Sequence, residues 1–154
     1  MTQPRAGDKI MAGRVPLTFE VTQDMVGGAY CALRQSVVPG QLFWPHIHAQ
    51  EDQVIVVLTG ELGVRVGDNE WVTSAGQVAF LPKGIPHTIW NSGTVTVGVI
   101  EISSPGSYDS YFAAVGEMTA SGDLSGRPEL LERYQVSGVE GWVEELGQRY
   151  GVSL

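Results

Sequence analysis

Apolar and polar residues alternate with a period of two through much of the first hundred positions, the pattern of strands with one face buried. Residues 17–22 read Leu-Thr-Phe-Glu-Val-Thr, and residues 30–38 form a second such run beyond a Gly27-Gly28 turn. Pro39-Gly40 breaks the chain. Residues 52–58 are then apolar on both faces apart from Gln53, so this strand needs cover on both sides, the barrel interior on one and a partner subunit on the other. Leu62, Val64 and Val66 alternate with Glu61, Gly63 and Arg65, and Gly67-Asp68-Asn69 is the bend of a hairpin returning through Trp71 and Thr73. Residues 78–81 give a short strand, Pro82 to Pro86 a rigid corner leading to His87, and Asn91-Ser92-Gly93 is expected to close one more hairpin into residues 94–102.

From Ser107 the period changes. Tyr108, Tyr111, Phe112 and Val115 stand at helical spacing, which predicts a helix over 107–118 capped by Ser107. Leu130, Leu131 and Tyr134 predict a short helix after Pro128, and Trp142, Val143, Leu146 and Tyr150 a third over 141–150. These aromatics read as packing residues. Strands separated by turns, followed by helices, predict an all-β jelly-roll barrel with short C-terminal helices. The expected organisation is an irregular N-terminal arm over 1–16, a barrel over 17–104 and a helical extension over 105–154 that packs on the barrel.

With 154 residues, 43% of them hydrophobic, the chain supports one domain with a real core. Its formal charge of −8, from 9 basic and 17 acidic residues, argues against nucleic acid and anionic membrane surfaces as partners. Cys31 is the only cysteine, so no intrachain disulfide forms, and its place in a strand reads as a small buried hydrophobe. The first sixteen residues are polar and include Arg5, Lys9 and Arg14, unlike a signal peptide, and no segment has the length of a bilayer span. A cytoplasmic location is therefore expected.

The chemistry concentrates between Gly40 and Asn91, where all three histidines lie. His46-Ile47-His48 on a strand projects both imidazoles to one face, able to grip one ion. Strand parity places Trp44 on that face, Ile55 and Val57 with Gln53, and Ile89 and Asn91 with His87, giving a mostly apolar set of candidate substrate-binding residues. Parity also favours Gln53 over Asp52 as a fourth ligand, with Glu51 the alternative and no further protein ligand a third possibility. Gln53 and Glu51 are the candidate catalytic residues, Glu51 and Asp52 being the only acids or bases visible near the ligands.

Two spaced blocks carry a family resemblance. The first reads Gly40, five residues, His46-x-His48, four residues, Gln53, six residues, Gly60; the second reads Gly76, five residues, Pro82-x-Gly84, two residues, His87, three residues, Asn91. They resemble the paired motifs of the cupin superfamily, the first departing at one position, where Gln53 stands in place of the usual glutamate. The C-terminal helices and the Ser-Pro-Gly linker look similar to small cupins of the quercetinase-like group. The resemblance implies a jelly-roll barrel holding one divalent transition metal per chain on His46, His48, Gln53 and His87, with manganese, iron, cobalt, nickel and zinc all compatible with such ligands.

The resemblance also implies a small-molecule enzyme, ranked first as a dioxygenase for an enolisable or phenolic, aromatic or polyketide-like substrate bound to the metal. A non-redox lyase, isomerase or cyclase using the ion as a Lewis acid is the alternative, and a non-catalytic binding cupin the third. A homodimer is expected. Three imidazoles and a neutral amide would leave the full +2 charge on the ion, and the metal should be lost as the imidazoles protonate near their reference value of about 6.5.

Overall fold

The computed structural model describes residues 3–154. Eleven strands, all paired antiparallel, form two sheets: β1 (Lys9–Ala12), β2 (Val15–Val21), β3 (Cys31–Val37), β4 (His46–His48), β5 (Asp52–Thr59), β6 (Glu61–Val66), β7 (Asn69–Ser74), β8 (Val78–Leu81), β9 (His87–Trp90), β10 (Val97–Ser104) and β11 (Val136–Gly138). The helices are α1 (Tyr108–Ser121), α2 (Arg127–Arg133) and α3 (Trp142–Tyr150). One sheet runs β1-β2-β3-β10-β5-β8 and the other β11-β4-β9-β6-β7. The two inner faces meet over an apolar cluster that includes Val37, Ile55, Val57, Leu62, Val64, Ile89 and Val99, the interdigitated core of a jelly roll.

The alternation read from sequence is realised on the central strands. Gln53, Ile55 and Val57 are buried on β5, as are Val97, Val99, Glu101 and Ser103 on β10. On the opposite face Val54 pairs with Phe80 and Ile102, and Val56 with Val78 and Ile100. Val78 and Phe80 remain 57% and 54% exposed. Among the described residues no helix is long and apolar enough to cross a membrane.

Four expectations need correction. The described part of the arm is not irregular throughout: β1 pairs with β2, aligning Lys9 with Thr18 and Ala12 with Val15, and Ile10 and Ala12 pack on the Leu17, Phe19 and Leu33 cluster. The segment around Asn91 closes no hairpin, because β9 and β10 lie in different sheets; the Asn91 amide instead donates to Val37 O and Val95 O at 2.8 Å each and accepts from Gly93 N, clamping a crossover. Ser107 makes no side-chain cap on α1. The start of that helix is tied through Asp109, which accepts from Gln23 N at 2.8 Å and Gln23 Nε2 at 3.0 Å.

The C-terminal extension is also more than helices. Between α2 and α3 the chain lays β11 along β4, aligning Val136 with His48 and Gly138 with His46. Gly138 is required there, since a Cβ would meet Trp44 Cζ2 at 2.6 Å. The helix α3 is pinned by Arg65, whose guanidinium lies 3.9 Å over the Trp142 ring and 3.0 Å from Glu145.

Candidate metal centre and cavity

The three histidines arrive from two adjacent strands. The β4–β9 pairing sets His46 directly opposite His87, and His48, two residues along, shares their face. One nitrogen from each ring lies within 4.8 Å of the others. The Nδ1 atoms of two rings are hydrogen-bonded, His46 Nδ1 at 2.5 Å from Trp44 O and His87 Nδ1 at 2.9 Å from Ile85 O, whereas His48 Nδ1 lies 3.4 Å from Glu51 Oε2 without a hydrogen bond. Carbonyl oxygens only accept, so His46 and His87 carry their protons on Nδ1 and turn their Nε2 lone pairs inward.

The consequence is that two inward lone pairs converge beside the His48 ring. His46 Nε2 and His48 Nε2 are 2.8 Å apart, and His87 Nε2 is buried without any hydrogen-bond partner. A proton on His48 Nε2 can satisfy His46 alone, and the orphaned His87 Nε2 is left for a cation. Imidazole nitrogens bind first-row metals at about 2.0–2.1 Å, which puts neighbouring ligand atoms roughly 3 Å apart, close to the 2.8 Å between His46 and His48. The donor set therefore fits a divalent ion, with backbone acceptors orienting the His46 and His87 rings from behind. Burial first, then the neighbouring His48 and His87 rings, holds His46 well below its ordinary range. The same two causes, burial and then His48, bring His87 down to about 4, so these rings resist protonation better than reference imidazoles.

A cavity of about 380 Å³ opens beside the histidines. Of the residues expected from sequence, His46, His87, Gln53, Trp44, Ile55 and Ile89 line it. His48 is completely buried and approaches from behind. Three candidates fall elsewhere. Val57 belongs to the apolar core further along β5, because parity fixes the face of a strand and not the height along the barrel. Asn91 is consumed by the crossover clamp, and Glu51, 2% exposed, faces His48 Nδ1 instead of the cavity. Asp52 also turns away, accepting from Lys83 N at 2.9 Å.

Gln53 does not act alone. Its Nε2 donates to Glu101 Oε1 at 2.9 Å and approaches Ser103 Oγ at 3.4 Å, while Gln35 Nε2 donates to Glu101 Oε2 at 2.7 Å. Ser103 Oγ adds a bond to Glu101 Oε1 at 3.1 Å. Glu101 supplies the only side-chain carboxyl on the cavity wall. Burial raises its pKa, against the lowering effect of Gln35, His48, Ser103 and Gln53. The sequence reading missed it, although a glutamate in the inward row of Val97 and Val99 was the available signal.

The opposite wall is aromatic. Tyr108 lies edge-on to His48 with ring centroids 4.6 Å apart and stacks on Tyr111 at 4.6 Å. Burial raises both phenols, with Arg127 acting in the other direction at Tyr111. The aromatic stripe of α1 therefore packs and lines the cavity at once. Cys31 is wholly buried behind it, and burial, then Glu101 and Asp109, pushes its thiol far up, leaving an inert hydrophobe.

A double-sheet barrel with a His-x-His strand opposite a third histidine is a jelly roll with three imidazoles positioned for a metal, and the comparisons agree on the fold. Residues 33–103 match the cupin domain family model, and the fold is of the cupin type. It is similar to the mannose-1-phosphate guanylyltransferase of Escherichia coli, 35% identical over 75 residues, which are 49% of this chain and 16% of that protein. The chain thus spans about a sixth of the length of that curated relative. Among solved structures it resembles a predicted oxalate decarboxylase from Thermotoga maritima, with a TM-score of 0.58, 22% identity, and coverage of 65% of this chain and 92% of that one. It also resembles KdgF from Halomonas sp., with a TM-score of 0.57, 19% identity, and coverage of 64% and 86%. These two likenesses establish the fold.

Proposed function

We propose that the protein is a metal-dependent enzyme that takes a small enolisable or phenolic molecule into the cavity and moves a proton on it, a lyase, isomerase or cyclase type of reaction. One observation carries the reading: Glu101, the sole side-chain carboxyl lining the cavity among the described residues, shares it with His46, His87 and Gln53. A bound divalent ion would be held by His46, His48 and His87, with Gln53 as candidate fourth ligand, and would supply positive charge for an enolate or phenolate.

The chain's own residues do the rest. Glu101 accepts a proton from the carbon next to a carbonyl and returns it to another atom of the same substrate, a role suited to a carboxyl whose pKa burial raises. Gln35 and Gln53 fix its two oxygens. Tyr108, Tyr111 and Ile55 restrict water, and Trp44 offers a flat apolar wall.

The test is proton exchange in heavy water. Protein loaded separately with manganese, iron, nickel and zinc, incubated with 1,3-diketones, should wash deuterium into the α-carbon, and Glu101→Gln should abolish it. Oxygen uptake with iron or manganese and no exchange would favour the dioxygenase instead. Neither exchange nor oxygen uptake would leave a binding cupin without turnover.

A further inference from the structure

We propose that the cavity is built for an aromatic ligand with an anionic group at its outer end, and that Arg127 recognises this group. The inference rests on the proposed function only for the inner end of the ligand. Arg127 opens α2 and lines the same cavity as His46 and Glu101. Its guanidinium lies 5.1 Å over the Trp44 ring, and Trp44 stacks parallel on His46, with an interplanar angle of 6° and centroids 5.8 Å apart. Guanidinium, indole and imidazole thus follow one another along one wall. A planar ligand lying against that wall would meet all three groups.

Arg127 is one of several cations without a carboxylate partner among the described residues, and of these only Arg14 and Arg127 line the cavity. The protein carries a formal charge of −8, and Arg34, Arg65 and Arg149 each have a carboxylate partner. The second arginine of the cavity, Arg14, donates to Leu154 O at 2.8 Å. Arg127 has no carboxylate within ion-pairing distance among the described residues, and its one ring contact leaves its donors free. It is close enough to Tyr111 to favour the ionised phenol there. A cation held in place by an indole, unneutralised, at the rim of a mostly apolar cavity is a ready receptor for a carboxylate, which can take two parallel N–H bonds from the guanidinium fork.

The inner end has the opposite character. Glu101 and the inward-facing imidazoles would reject a carboxylate in the absence of an ion and accept a hydroxyl. The wall between the two ends is aromatic and aliphatic, with Phe112, Val115 and Tyr111 on one side. The ligand class that satisfies both ends is a hydroxylated aromatic carboxylate, phenol inward and carboxylate outward.

The test compares 4-hydroxybenzoate with 4-hydroxybenzamide, which match in size and differ in charge, by titration calorimetry and by quenching of tryptophan fluorescence. Binding should favour the acid in both metal-free and metal-loaded protein. Arg127→Gln should weaken it about tenfold, bring acid and amide level, and leave metal content unchanged, and Arg127→Lys should retain part of the preference. Equal binding of the two compounds by the wild type would overturn the proposal. So would acid binding that requires metal and ignores Arg127, a result that would leave the metal-enzyme reading intact. Conversely, an Arg127-dependent preference in a protein that performs no proton exchange would uphold this inference and defeat the reaction proposed above.

Discussion

Gln53 Nε2 donates to Glu101 Oε1 at 2.9 Å, across the register that sets Ser103 opposite Gln53. The carboxylate that the first motif lacks is thus supplied from the neighbouring strand, behind the amide. The sequence reading took the amide to leave the ion's charge uncompensated, and the buried acid beside it revises that picture. Gln53→Glu would set two carboxyls in contact inside the barrel, where like charges disfavour each other. The metal-free variant should lose roughly 2 kcal/mol of stability, a fall in melting temperature of about 5 °C, largely restored by metal. Calorimetric scans with and without chelator measure this, and an unchanged apoprotein would disprove the contact's importance.

Glu101→Gln preserves the shape of the side chain while removing the acid. Turnover should fall at least about a hundredfold, with metal content measured by elemental analysis unchanged. Loss of metal together with activity would instead make Glu101 a support for the ligands.

His46→Ala and His87→Ala should each lose the metal, since either change removes one of three converging nitrogens. Full metal content in either variant would refute the ligand assignment.

Acid should destabilise the metal-free protein. Folded His87 titrates at about 4 against an ordinary 6.5, so between these values the unfolded chain binds a proton that the folded state refuses. Stability is therefore complete above about 6.5 and falls as the pH drops toward 4, by on the order of 3 kcal/mol for this group. Denaturant midpoints across that window test the sign. Metal release is expected below pH 6.5, lower than reference imidazoles would give.

The outer face carrying Val54, Val56, Val78, Phe80, Ile100 and Ile102 has no charged side chain among these six. We expect a second copy of the chain to cover it, because two molecules of charge −8 approach most easily through an uncharged surface. Sedimentation should show a dimer, and Phe80→Lys should shift it to monomer without loss of metal. A wild-type monomer at micromolar concentration would rule this out.

Strand parity made the histidine face, Trp44, Gln53 and Ile55 legible, because a period of two survives any detail of packing. It misplaced Val57, where depth in the barrel decides, and Asn91, whose amide found backbone partners closer than the cavity. Glu101 was hidden in a strand read only as the return of a hairpin. Arg127 was hidden because its role depends on α2 folding back over Trp44, a long-range contact with no local signature. The three residues of β11 were too few to show any period.

The same short strand bears on the order of assembly. Pairing β11 with β4 joins His48 to Val136, 88 positions later, the kind of distant closure that slows folding. During synthesis the histidine strand emerges long before its edge partner, so a nascent barrel would present His46 and His48 on an open edge that any passing strand could take. The metal centre is thus among the last parts of the molecule to be sealed, and the C-terminal segment governs when.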